Sequence, residues 1–317
     1  MSDSVKNFNA SGKTVHKRHK NYRNRVTTFD VVVNIIGIVA CFICFYPMWY
    51  VICLSISDPI MAASGHVTFY PVGFTWASYQ LIAGNLNFWI AFRNSIFYVI
   101  INCTLMLVTT VCIAYPLTRH DLKFRKIVTF FLLIPMYFGG GMITSFLVIT
   151  KLGLYNSPLS LILPSCYGIW NIILCRTYMA SIPAELSEAG LIDGASVFDV
   201  MVRIIIPLSK PVLAVIMIYT VVGVWNSWFN ASIYITKREF QPVQLYLRNL
   251  LNTASLLSKD LEENMSAEMW ELYQQQMMTA RQLQYSMVVI VTLPILLVYP
   301  MFQKHFTKGI MLGSLKG

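Results

Sequence analysis

The sequence predicts an all-α integral membrane protein with six transmembrane helices, and three observations predict it. First, 56% of the 317 residues are hydrophobic and only 12% are charged, whereas a soluble domain carries about 25% charged residues. Second, six apolar stretches lie near residues 31–56, 92–118, 124–149, 157–175, 204–229 and 285–303. Each reaches the roughly 20 residues that a helix needs to cross a bilayer, and none carries a charge at its centre. Third, lipid cannot satisfy backbone amides, so a span must be a helix or part of a closed barrel. Barrel strands alternate polar with apolar residues, and Val99-Ile100-Ile101 and Val288-Val289-Ile290-Val291 do not.

Taken in order, residues 1–28 form a basic, Lys-, Asn-, His- and Ser-rich tail whose composition predicts disorder or a surface-bound segment. Gly12-Lys13-Thr14 resembles part of a nucleotide-binding loop, but Asn7 stands where that loop needs glycine and no strand precedes it. The first apolar stretch is too long for the core of a cleavable signal peptide. The six-helix domain is expected over 29–304. Within it, 57–91 reads as an outer loop whose Trp76, Tyr79, Phe88 and Trp89 suit the headgroup region. Residues 119–126 read as a short basic inner loop, and 150–157 as a tight outer turn marked by Gly153 and Asn156, with Pro158 following. Gly139-Gly140-Gly141 predicts close packing or a break in the third span. Residues 230–284 form the largest outer piece, acidic, Gln-rich and partly helical over 259–284. A C-terminal tail occupies 305–317.

Charge sets the expected orientation. Of the 24 Lys and Arg, seven fall in residues 1–30, four in 119–126, three in 176–210 and three after 303. The positive-inside rule therefore places both termini in the cytoplasm of a bacterial cell membrane. The net charge of +10 follows this topology, which argues for contact with membrane lipid and against nucleic acid. None of the 14 acidic residues lies mid-span, so the carboxylate relays common in ion-coupled carriers are missing. The five histidines show no HExxH spacing and no G-x-S-x-G elbow occurs, so neither a catalytic residue nor a metal site is expected. Seven cysteines lie in or beside the spans, an odd number that makes no disulfide framework. Cys41-x-x-Cys44 is expected to serve packing.

The segment 181–207 carries the functional information. Pro183 suits a first helical turn, and Glu185 and Glu188 sit where the helix dipole favours negative charge. A short helix is therefore expected from about Pro183 to Leu191. Gly190 and Gly194 permit close backbone approach or a turn. A second short helix follows with Val197, Phe198 and Val200 as its apolar side, before Ile204 opens the fifth span. Such a helix–turn–helix on the inner face can turn a push from a cytoplasmic partner into tilting of the helices it joins.

Glu188-Ala189-Gly190, three residues, Gly194, nine residues, then Ile204-Ile205-Ile206-Pro207 resembles the coupling motif of ABC-importer permeases, EAA, three residues, G, nine residues, I-x-L-P. Gly190 stands for the usual Ala and Ile206 for the usual Leu. The flanking Ile182-Pro183-Ala184-Glu185-Leu186-Ser187 and Ile192-Asp193-Gly194-Ala195 resemble the carbohydrate, maltose-type branch. Phe138-Gly139-Gly140-Gly141-Met142-Ile143, Trp225-Asn226-Ser227-Trp228-Phe229-Asn230 and the ending at Gly313-Ser314-Leu315-Lys316-Gly317 are similar to its polysaccharide-type members.

The resemblance implies a type I importer permease fold (MetI-like) with a cytoplasmic coupling helix. It implies a heterodimer with a second, homologous permease, two copies of a cytoplasmic ATPase that bind ATP and Mg, and an extracellular or periplasmic solute-binding protein. This chain itself holds no cofactor. By the same resemblance Ser187, Glu188, Ala189, Gly190, Leu191, Asp193 and Gly194 contact the ATPase, and the tail after Gly309 is compatible with a further contact there. Sugars present CH faces and hydroxyls, which aromatic rings and amides answer. Trp170, Asn171, Tyr219, Trp225, Asn226, Trp228 and Asn230 are therefore candidates for the substrate path. The alternative is a stand-alone channel or secondary carrier for a small polar solute.

Overall fold

The computed structural model describes residues 28–260, 278–298 and Pro300, with side chains omitted for 253–260. The basic tail except its last residue, the stretch 261–277 and the C-terminal tail lie outside the described residues. Every regular element among the described residues is helical. Clustering of the chain divides it after Trp49. The N-terminal unit holds most of α1, Thr28–Ser55, on which Cys41 and Cys44 are exposed rather than packed.

In the second unit, the last turns of α1 are followed by short helices at Pro59–Ala63 and Ala77–Ala83. Asp58 caps the first of these, its Oδ1 accepting from the amides of Ile60 (2.9 Å) and Met61 (3.3 Å). The 57–91 stretch, expected as a loop, is thus partly helical. From Leu86 it already belongs to α2, Leu86–Thr118, whose N-cap is Asn85.

The third span is two helices. α3, Arg125–Tyr137, and α4, Gly141–Lys151, meet at 111°. Pro135 removes one amide donor near the end of α3, and Gly141 adopts φ +78°, a backbone state that residues with a Cβ rarely enter. The span expected over 124–149 is this bent pair, and of the two outcomes expected of Gly139-Gly140-Gly141 the structure shows the break. The fourth span, Leu159–Ala180, starts with a turn of α-helix and a 3-10 turn, then runs as α5, Ile169–Ala180.

Two helices follow: α6, Ala184–Ile192, and α7, Val197–Leu208. α7 contains a π turn over Met201–Ile205. It meets α8, Lys210–Trp225, at 76°. Residues 204–208, expected as the start of the fifth span, belong to α7, so this span too is a bent pair, Val197–Leu208 with Lys210–Trp225. Pro207 and Pro211 flank the bend and cannot donate to the helix ladder. The Ser209 amide compensates by reaching both Ile205 O (2.9 Å) and Ile206 O (3.1 Å).

The stretch 230–284 is no simple loop. α9, Phe229–Tyr234, and α10, Val243–Asp260, occupy its first half, and α11, Met278–Val298, begins before its end. Among the described residues, four helices are long and apolar enough to cross a membrane, or up to six if each bent pair is one span.

Two apolar cores lie at opposite ends of α2. Towards its C-terminus, Met106, Val111 and Tyr115 pack with Ile172 and Cys175 of α5, Val200 and Ile205 of α7 and Ile216 of α8. Towards its N-terminus, Phe88 and Ala91 pack with Trp225, Val243 and Leu247 of α10, and Met287 and Val291 of α11. A buried polar network lies beside the second core. Ser286 Oγ meets Ser78 Oγ at 2.7 Å and donates to Ser55 O at 3.1 Å. Gln282 Nε2 donates to Ser57 O. Ser286 is fully buried, so Ser286→Ala should cost about 1 kcal/mol. The purified protein in detergent should melt earlier, whereas substitution of the exposed Ser64 by Ala should leave its melting temperature unchanged.

Candidate functional site

The α6–α7 element is built from local rules. Pro183 stands at the cap of α6 with φ −54° and ψ 129°, and Glu185 occupies the first turn. α6 ends in a Schellman motif: the Ala195 amide reaches Gly190 O (3.0 Å) and the Gly194 amide reaches Leu191 O (3.1 Å). Gly194 holds φ +83°, where an L side chain costs roughly 1–2 kcal/mol. Ser196 then caps α7, its Oγ accepting from the Asp199 amide at 3.1 Å. The Ser196 hydroxyl also donates to the Asp199 carboxylate (2.5 Å), and Arg203 stands 3.4 Å from it. The Ser196 hydrogen bond, then the Arg203 charge, hold that carboxyl below the usual range.

Gly190 is the contact between the two helices. A Cβ there would lie 2.9 Å from Ile204 Cδ1 and 3.2 Å from Val200 Cγ2. This close approach explains why glycine replaces the usual alanine. Val200 and Ile205 sit in the core shared by α2, α5 and α8, with Leu191, Ala195 and Ile204 packed against it. The element is therefore fixed to three spans rather than hanging between two.

The seven expected contact residues divide among its surfaces. Glu188, Ala189, Asp193 and Gly194 are exposed, whereas Ser187, Gly190 and Leu191 are half-buried. Gly190 faces α7, and Ser187, Glu188 and Leu191 line a cleft beside α6. The sequence reading missed Ile192, which is 85% exposed. It lies two residues beyond Gly190, roughly 200° around the helix. Once Gly190 is known to face inwards, Ile192 must face out. Phe198, expected on a packed side, is instead 68% exposed.

A second feature is a polar cavity of about 200 Å³ between α2, α4, the start of the fourth span and residues 224–242. Asn102, 1% exposed, donates from Nδ2 to Tyr98 O (2.9 Å), while its Oδ1 has no partner. Tyr98 donates to Phe240 O (2.8 Å), and Ser95 Oγ accepts from the Val243 amide (2.8 Å). These two contacts hold the 240–243 strap over the cavity. Ser165, Ser227 and Asn230 also line it, and no charged residue does.

Of the seven candidates for the substrate path, only Asn230 lines this cavity. Trp170 and Tyr219 are exposed. Asn171 is half-buried, with Nδ2 3.4 Å from Met106 Sδ. Asn226 Oδ1 accepts from Gln244 (3.3 Å), and the Arg248 guanidinium stacks 3.5 Å from the centre of the Trp228 ring. Trp225 is a core residue: it is 4% exposed, its Nε1 donates to Val291 O (3.0 Å), and its ring meets Phe92 edge-on. Its polar atom is already satisfied within the chain, which removes it from the path.

The described residues thus combine apolar spans with a helix–turn–helix anchored in the core of three of them. Residues 107–311 match the family described as binding-protein-dependent transport system inner membrane component, and the chain belongs to it. It is thus a permease subunit of an ABC importer. It is 34% identical to protein LplC of Bacillus subtilis (strain 168), over 96% of this chain and 99% of that one. It is 31% identical to the polygalacturonan/rhamnogalacturonan transport system permease protein YtcP of the same organism, over 93% and 100%. The crystal structure of a bacterial ABC transporter involved in the import of the acidic polysaccharide alginate superposes with a TM-score of 0.78 at 28% identity, covering 88% of this chain and 96% of that chain.

Gly194→Val forces a β-branched side chain into a left-handed backbone. It should destabilise the α6–α7 turn by about 1–2 kcal/mol. Limited proteolysis of inverted membrane vesicles should cut at this turn faster than in the wild type.

Proposed function

We propose that this chain imports oligosaccharide fragments of a polysaccharide, as one half of a heterodimer with a second permease. Two copies of an ATPase bind ATP and Mg below it, and a solute-binding protein delivers substrate from outside. Both termini lie in the cytoplasm, and the piece expected over 230–284 is on the outer side. The substrate class is supported by the relatives named above. It is supported too by the uncharged cavity, whose hydroxyls and amides (Ser165, Ser227, Asn230 and the free Asn102 Oδ1) suit the hydroxyl groups of a sugar ring.

The observation that carries the coupling role is the pairing of an exposed patch with a buried root. Ile192 and Phe198 are open to a partner, while Val200 and Ile205 lie in the core of α2, α5 and α8. A displacement of the patch therefore reaches three spans at once. Glu188, Ala189, Asp193 and Gly194 border the docking face, and Gly190 transmits by close contact with α7.

Phe198→Asp and Ile192→Asp should each abolish co-purification of the ATPase, because a charge in a buried apolar contact removes a hot spot of about 2 kcal/mol or more. Uptake should fall about tenfold or more while membrane insertion stays normal. Uptake that persists with the ATPase absent would favour the stand-alone carrier. Asn230→Leu should lower oligosaccharide uptake with ATPase binding unchanged, read by transport of labelled oligosaccharide into whole cells.

A further inference from the structure

The end of α2, the turn after it, the end of α5 and one face of α6 surround an open cleft of about 500 Å³. Arg119, Arg125, Arg176 and His120 line it, against the two carboxylates of Asp121 and Glu188. Arg119 and Asp121 neutralise each other through a two-point contact: Arg119 Nε donates to Asp121 Oδ1 (2.8 Å) and Nη2 donates to Oδ2 (2.7 Å). This contact holds the Asp121 carboxyl below its usual range. The other two arginines are not neutralised. Arg125 makes one long hydrogen bond, from Nη1 to Arg119 O (3.4 Å). Arg176 makes none, and the three ion pairs among the described residues include neither. Both are half-buried. Two partly desolvated guanidinium groups with free donors therefore face one cavity, with Glu188 as the only unpaired carboxylate in its wall.

We propose that this cleft binds a phosphate group, and that its occupant bridges the span ends to the coupling helix. The planar fork of arginine matches phosphate oxygens in two-point contacts. Ser187 adds a hydroxyl donor, whereas the Thr118 hydroxyl already donates to Tyr115 O (2.7 Å). The cleft sits where two apolar helices, Leu86–Thr118 and Leu159–Ala180, end, and basic pockets between helices on the cytoplasmic side suit anionic headgroups. Leu117, Met179 and Ile205 give the same cleft an apolar floor. Two sources share this chemistry: an anionic phospholipid and a soluble phosphorylated metabolite. Either one, held by Arg125 and Arg176 against Ser187 of α6, favours one position of α6 over others and so sets how readily the ATPase moves it. The inference rests on the cytoplasmic placement proposed above.

The test uses the whole importer, co-purified with its partner subunits and placed in nanodiscs. In the first arm, native mass spectrometry compares retention of phosphatidylglycerol and phosphatidylcholine. The wild type should retain phosphatidylglycerol selectively. The Arg125→Gln/Arg176→Gln double variant should lose that selectivity by about tenfold or more, the loss expected for charged hydrogen bonds. In the second arm, glycerol 3-phosphate is titrated into phosphatidylcholine nanodiscs while ATP hydrolysis is followed. A shift in the rate that disappears in the double variant assigns the cleft to a soluble ligand. Co-purification of the partners with the double variant verifies its assembly, and should the pair fail to assemble, Arg176→Gln alone is read in both arms. Lys123→Gln/Lys126→Gln changes nearby exposed charge outside the cleft and should alter neither readout. The proposal is overturned if the arginine variants behave as wild type in both arms, or if the lysine variant loses selectivity equally.

Discussion

A backbone amide in lipid has no water to turn to, and this constraint shapes the rest of the molecule. It makes every regular element among the described residues a helix. It also means that a helix can stop inside the membrane region only where something else answers the freed groups. The bend between α3 and α4 sits at a run of glycines after Pro135, with Gly141 in a left-handed conformation. The bend between α7 and α8 sits between Pro207 and Pro211, where the Ser209 amide reaches two carbonyls. Each break re-aims a helix, and the second separates the coupling element from the span it drives.

The two cores divide the labour along α2. One secures its N-terminal end, where the 240–243 strap, α10 and α11 come together and a buried hydroxyl ties Ser286 to Ser55. The other is shared with the coupling element through Val200 and Ile205. A close-packed interior resists compression and passes displacement on, so a load on α7 cannot be absorbed locally. The Ser209 hydroxyl, buried and without a partner, stands at the one bend on that route. The structure keeps a weak polar point where the two segments must turn against each other.

Much of this was legible in the chain because it depends on neighbours in sequence. Hydropathy located the spans, and Pro183 with Gly194 bounded α6 to within about a residue of its ends, Ala184 and Ile192. Three things were not legible. Hydropathy averages are blind to direction, so the 76° bend was hidden, and the glycines at 139–141 signalled a break in the third span without its 111° angle. The burial of Trp225 depends on Val291, 66 residues away, and composition treated that ring as a candidate for sugar contact. The arginine cleft is assembled from three separate segments, so no window of sequence contains it. The glycine at 190 lay between these extremes: its presence was visible, but its reason is the side chain of Ile204 packed against it.

The π turn in α7 gives a counting rule. Over Met201–Ile205 the amide of Ile206 bonds to the carbonyl of Met201, five residues back rather than four. The extra residue fixes the rotational phase between the turn at Gly194 and the bend at Ser209. Deleting or inserting one residue would rotate everything beyond it by about 100°, swinging Ile205 out of its socket and Pro207 away from the bend. The nine-residue interval from Gly194 to Ile204 is then a gear ratio: its length is constrained more tightly than its composition, so sequence drift here should proceed by exchange of side chains and not by gain or loss of residues.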